Sequence, residues 1–170
     1  MKKLLLIAAA AFLSACTGMP AGVTPVKDFE LNRYLGKWYE VARLDHSFER
    51  GLEQVSAEYS LYPNGNVKVV NRGYSTAKKE WSEAVGKAKF VQDPNTGYLK
   101  VSFFGPFYGS YVVFDLDKEG YEYAFVSGPD LSYLWLLSRN KTVTPEVKAS
   151  FLKQAEAIGF DTSKLIFVKQ

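Results

Sequence analysis

The sequence predicts an all-β domain: an eight-stranded up-and-down antiparallel barrel with one C-terminal amphipathic helix packed outside it. Three observations predict it. From residue 36 onward, short apolar–polar stretches alternate with turn signals at roughly ten-residue intervals, the pattern of a barrel or sandwich. The chain carries 12 Phe, 11 Tyr and 3 Trp, and aromatic side chains pack well on a pleated surface. Past residue 143 the apolar period changes from two to three and four, which marks a helix.

The first strand spans Gly36 to Leu44 and the second Glu53 to Tyr62. In the second, Val55, Ala57, Tyr59 and Leu61 share one face, with Gln54, Ser56, Glu58 and Ser60 opposite. Pro63-Asn64-Gly65-Asn66 supplies a hairpin turn, since Asn and Gly accept positive φ. The strand from Val67 to Tyr74 returns, and Trp81 to Val91 is the fourth. Asp93-Pro94-Asn95-Thr96-Gly97 turns into Tyr98 to Phe104, and Gly105-Pro106 into Tyr108 to Leu116. Tyr121 to Ser127 and Leu131 to Arg139 complete the eight. Thr144 then caps a helix with Pro145 at its first position and Gly159 beyond its end. Val147, Phe151, Leu152, Ala155 and Ile158 give that helix one apolar face, and Lys164 to Val168 reads as a short last strand. Closing eight strands removes exposed edges and leaves room for one small ligand.

The amino terminus has a different purpose. Met1-Lys2-Lys3 precedes an unbroken apolar run from Leu4 to Leu13, the layout of a secretory signal peptide. A run of about ten residues rises only about 15 Å as a helix, roughly half a bilayer core, which argues against a permanent span. Leu13-Ser14-Ala15-Cys16 resembles the lipobox of bacterial lipoproteins, in which the cysteine is lipidated and becomes the new amino terminus. The organisation expected is a removed signal peptide over residues 1–15, a lipidated Cys16 with a flexible Gly- and Pro-rich tether to residue 27, and a folded domain over 28–170. Thr17 follows the cysteine in place of the Asp of inner-membrane retention, so the resemblance implies the outer membrane, on its periplasmic face. Leaving out Lys2 and Lys3 reduces the 21 basic side chains to 19, nearly balanced by 18 acidic ones, and they are scattered. That excludes an electrostatic footprint for nucleic acid.

Gly36-Lys37-Trp38, at the start of the first strand, resembles the Gly-x-Trp signature of the lipocalin family, and Arg139 ends the eighth strand where that family carries an arginine. The resemblance implies that Gly36, Trp38 and Arg139 close the barrel floor, the guanidinium lying across the indole. Tyr121-Glu122-Tyr123-Ala124-Phe125-Val126 stands at the middle signature without its frequent Thr-Asp-Tyr form. The stretches 45–52 and 103–108 suggest the branch of bacterial outer-membrane lipoprotein lipocalins and apolipoprotein D.

Alternation nominates the lining of the cavity. Val55, Ala57 and Tyr59 come from the second strand, and Val69 and Ala84 from the third and fourth. Val101 and Phe103 come from the fifth, with Tyr108 and Val112 from the sixth. Tyr108 is the preferred pocket residue, because it joins apolar area to a hydroxyl. Arg72, Lys87 and Lys89 are candidates for an acidic head group, or else solvated charges on strand faces. His46, the single histidine, has a solvated or hydrogen-bonded loop role. One histidine and no free cysteine argue against a metal site, and no cofactor is expected. The function expected is carriage or storage of a small hydrophobic ligand, a fatty acid or lysophospholipid. The alternatives are an enzyme acting on a lipid, disfavoured for want of a nucleophile or carboxylate pair in the cavity, and an envelope-stress structural lipoprotein. The partners expected are that lipid and the membrane, with a homodimer left open.

Overall fold

The structure is a computed structural model that describes residues 17–170; the expected signal peptide and Cys16 lie outside the described residues. Eight antiparallel strands form the barrel: β1 (Gly36–Leu44), β2 (Leu52–Leu61), β3 (Val67–Ser75), β4 (Glu80–Phe90), β5 (Tyr98–Phe104), β6 (Phe107–Leu116), β7 (Tyr123–Ser127) and β8 (Leu134–Ser138). Each pairs with the next, and β1 pairs with both β8 and β2, which closes the sheet. A ninth strand, β9 (Leu165–Phe167), pairs with β1 over Ala42 to Leu44. The four-residue helix α1 (Leu31–Tyr34) crosses one end ahead of β1, an element that alternation alone does not signal.

Helix α2 (Pro145–Ile158) forms where the capping residues place it. The Thr144 hydroxyl accepts from Val147 N–H at 3.3 Å, and Gly159 takes a φ of +109°. Phe151 and Ala155 are buried against the outer face of the sheet, on Ala42, Val112, Phe125 and Leu136. The inner cluster is separate and is built around Trp38, Tyr34, Tyr59, Val69 and Leu137.

The closed end is a stack of planar groups. The Arg139 guanidinium lies 3.9 Å from the Trp38 ring centroid, and the Tyr34 ring lies 4.8 Å from it on centroids. Arg139 donates to the carbonyls of Lys37 (3.0 Å), Arg33 (2.8 Å) and Tyr121 (3.2 Å), joining three chain segments. Trp38 Nε1 donates to Tyr34 O at 2.8 Å. Gly36 has a φ of +98°, and a Cβ there would stand 3.3 Å from an Arg139 nitrogen, so both the backbone and the arginine require glycine.

The expected tether is a correction. Residues 17–27 run along the outer wall instead of hanging free of it. Val26 N–H donates to Val113 O and Val26 O accepts from Gly97 N–H, both at 2.9 Å, so this segment bonds across β5 and β6. Val23 is buried in the cluster under α2, and the hydroxyls of Tyr98 and Ser110 donate to the carbonyls of Thr17 and Gly18. Glycine and proline content suggests a loose stretch; small residues are also what a backbone needs to lie close against a sheet. Among the described residues no helix is long and apolar enough to cross a membrane.

Trp38→Ala empties the centre of the floor stack and should cost about 3–5 kcal/mol, as large-to-small core changes do. Arg139→Lys should cost less, because it keeps the charge and loses the planar stack. Urea unfolding of the two variants checks the order.

Candidate ligand-binding site

The barrel opens at the end opposite Arg139, between the connections 45–51, 76–79, 105–106 and 128–133. Inside lies a cavity of about 400 Å³. A second lobe of about 310 Å³ shares Phe48, Glu49, Asn71, Phe103 and Phe107 with it. These are ordinary sizes for a small-molecule pocket.

The inward faces of the strands line it. Ala57, Tyr59, Val69 and Val101 border the main lobe, Val55 and Ala84 the second, and Phe103 both. One expected lining residue is corrected: Val112 is fully buried outside the barrel, under α2. Tyr108 borders the cavity at its rim, with Lys100 Nζ 5.1 Å and Lys89 Nζ 5.9 Å from its ring centroid. A register shift between Val101 and Phe104 puts Gly109, Tyr111 and Val113 on the inner face. One extra residue at a hairpin exchanges the two faces of the returning strand.

The pocket phenols are therefore Tyr59 and Tyr111. Tyr111 Oη lies 2.6 Å from Tyr34 Oη and 2.8 Å from Tyr59 Oη. Burial pushes all three hydroxyls above their usual range, so they remain protonated and bond one another. They form the bottom of the cavity, directly on the Trp38 layer.

Near the mouth is a polar cluster that alternation does not nominate. Glu40 lies two residues beyond Trp38 on β1 and so faces inward; Arg43 Nη1 is 3.0 Å from its Oε1. The 45–51 connection folds Glu49 back so that its Oε2 is 2.6 Å from His46 Nε2 and 3.1 Å from Trp135 Nε1. His46 is thus buried beside a carboxylate, and its solvated alternative is set aside. Burial raises Glu40 well above the usual carboxylate range, and the neighbouring Glu49 raises it further, against the pull of Arg43. Burial also raises Glu49, but its bonds to His46 and Trp135 outweigh that and hold it lowered. The two carboxyls are thereby pushed in opposite directions, Glu40 toward its protonated form and Glu49 toward its ionised one. The rings of Phe48, Tyr133 and Trp135 stand beside them, Phe48 and Tyr133 stacked at 6.4 Å and Tyr133 and Trp135 at 6.1 Å. Shared parity with Trp38 is the one sequence signal for Glu40; Glu49 has none, because a loop carries it.

Lys87 and Lys89 point outward from β4 and are exposed, so neither faces the cavity. Arg72 touches the edge of the second lobe, with its guanidinium 4.4 Å above Trp81. Among the described residues no group of three or more His, Cys, Asp or Glu is arranged to hold a metal ion.

A closed eight-stranded barrel with an outside helix, a floor stack and a ligand-sized cavity is the architecture of a carrier for small hydrophobic ligands. The chain belongs to the lipocalin family: residues 29–170 match the lipocalin-like domain. It is 61% identical to the outer membrane lipoprotein Blc of Vibrio cholerae, across 100% of this chain and 99% of that one. It is 33% identical to apolipoprotein D of Bos taurus, covering 76% of this chain and 70% of that one. Among solved structures it is similar to insecticyanin from Manduca sexta, at a TM-score of 0.71 and 25% identity over 90% of this chain and 87% of that one.

Glu40 sets a pH test. Its raised value means the folded protein keeps a proton that the unfolded chain releases above about pH 4.5. Stability therefore falls as pH rises from there toward the folded value. Glu49 acts oppositely, adding stability above the usual range that is lost as pH falls through its lowered value. Glu40→Gln should flatten the loss on the alkaline side and leave the acid side in place, read as melting temperature against pH.

Proposed function

We propose that this lipocalin is an outer-membrane lipoprotein that binds a single-chain lipid, and that a lysophospholipid suits it better than a fatty acid. The observation that carries this is a mostly apolar cavity with the Glu40–Glu49 cluster at its mouth. Burying about ten methylenes of an acyl chain contributes about 8 kcal/mol before the costs of association. At the mouth, Glu49 lines the cavity and, held toward its ionised form, opposes a bare carboxylate, while the Arg43 guanidinium stays outside the lining and donates to Glu40 Oε1 and the Glu49 carbonyl. An ammonium group is attracted both by Glu49 and by the faces of Phe48, Tyr133 and Trp135. A zwitterionic head group satisfies that pattern and an anionic one does not.

The membrane half rests on Leu13-Ser14-Ala15-Cys16 and Thr17, and on a Vibrio cholerae relative named an outer membrane lipoprotein. Acyl chains on Cys16 anchor the protein, since each buried methylene adds about 0.8 kcal/mol. Labelled palmitate should enter the wild-type chain and not Cys16→Ser, which should appear in the soluble periplasmic fraction. Unlabelled wild-type protein would sink the anchor.

Gly109 faces the cavity, and a Cβ there meets nothing within 4 Å. Gly109→Phe should therefore fill the cavity without unfolding the barrel and reduce lysophosphatidylcholine binding at least about tenfold in titration, the equivalent of about 1.4 kcal/mol. Glu49→Gln should weaken lysophosphatidylcholine more than oleate. Failure of the wild-type protein to bind either lipid at micromolar levels would overturn the reading.

A further inference from the structure

Inside the barrel, polar side chains are bonded to the protein. The three phenols bond one another, Glu40 accepts from Arg43, and Glu49 meets His46 and Trp135. Asn71 breaks this pattern. Like Glu49 it lines both lobes of the cavity, and among the described residues its side-chain amide has no hydrogen-bond partner. The hydroxyls of Ser82, Tyr108 and Tyr133 are also unbonded, but Ser82 is exposed and the two tyrosines stand at the rim.

The strand itself has no use for an amide at this position. Asn71 is on the inward face of β3, two residues nearer the mouth than Val69, which is opposite Tyr59. Its own opposites are Ala57 on β2 and Ala84 on β4, and Gly73 follows on the same face. These small neighbours leave the amide uncovered. The register of β3 with β4 runs unbroken from Val67 to Ser75, so the side chain has no bulged backbone to serve. Asparagine is depleted in strands, and a third apolar residue after Val67 and Val69 would simply continue the wall.

An amide carries two donor hydrogens and an acceptor oxygen. A bare acyl chain filling the cavity strips water from both and returns nothing, so an occupant is penalised unless it brings groups to match. The glycerol backbone of a lysophospholipid brings both kinds. Its acyl ester carbonyl accepts, its free hydroxyl donates, and it lies between tail and head group. Asn71 lies correspondingly between the phenols at the bottom of the cavity and Glu49.

We propose that Asn71 is a specificity-determining residue that reads the glycerol backbone of a monoacyl glycerophospholipid. Its NH2 donates to the ester carbonyl, and its carbonyl oxygen accepts from the free hydroxyl. The proposal deepens the lysophospholipid reading and rests on it. Glu49 and the aromatic rings at the mouth discriminate by head-group charge, whereas Asn71 discriminates by what joins head to tail. An ionised fatty acid offers it acceptors only, and an alkyl chain esterified directly to a phosphate offers neither the carbonyl nor the hydroxyl.

The test presents the full acylated chain, in non-ionic detergent, with equal amounts of palmitoyl-lysophosphatidylcholine and hexadecylphosphocholine, and reads bound lipid by native mass spectrometry. The two lipids match in chain length and head group and differ in the glycerol, the ester and the hydroxyl. The wild-type chain should carry the lysolipid in about tenfold excess, the scale of one or two net hydrogen bonds. Asn71→Leu should bring the ratio close to one by losing the lysolipid alone, and should melt no lower than the wild type. Asn71→Asp keeps the size and the acceptor and loses the donors, so it should lower the ratio as well; if Asn71→Leu does not fold, this variant decides. The charge it adds acts on two identical head groups and cancels in the ratio. Equal carriage of the two lipids by the wild type would overturn the proposal, and so would an equal loss of both in the variants. A wild-type chain that carries neither lipid removes the lysophospholipid reading and this proposal together, whereas carriage without preference removes this proposal alone.

Discussion

The fold depends on one arginine lying flat on one tryptophan. Arg139, just past the last barrel strand, covers Trp38 near the start of the first and donates to carbonyls from three segments. Strands distant in sequence are thereby joined where the sheet closes. A planar guanidinium can stack and donate at several edges simultaneously, which a lysine ammonium cannot. Above this joint come Tyr34, then Tyr59 and Tyr111, so the floor of the cavity is a continuation of the closure.

Closure at one end frees the other. The strands diverge toward loops that contribute side chains to the cavity and to the rim together. Glu49 shows the coupling: its neighbours His46 and Phe48 lie on the same short connection, the one buried beside it and the other exposed at the mouth. The polar cluster thus stands at the mouth of the cavity and the phenols at its bottom.

Most of the fold was legible in the sequence because one sheet face meets the interior and the other meets water, which writes itself as alternation. The floor was legible through Gly36, Trp38 and Arg139. Legibility failed where both faces are buried. The outer face of β6 lies under α2 and residues 17–23, so Tyr111, Val112, Val113 and Phe114 carry no polar contrast, and a register shift at the β5–β6 tip brings Gly109 and Tyr111 to the inner face and leaves Val112 outside. The N-terminal segment was unreadable for another reason: it is held largely by backbone hydrogen bonds to Gly97 and Val113, which leave no side-chain pattern. Glu49 depends on how a loop folds back, and no periodicity encodes that.

The three linked phenols have a consequence for cargo. Their hydroxyls are spent on one another, and the Trp38 layer beneath them admits nothing. For the single-chain lipid proposed as ligand, that is a fixed stop. Depth being constant, methylenes in excess of it would emerge at the entrance and lift the head away from Glu49. The barrel floor would then act as a ruler, converting the length of such a ligand into the quality of its contacts at the opposite end.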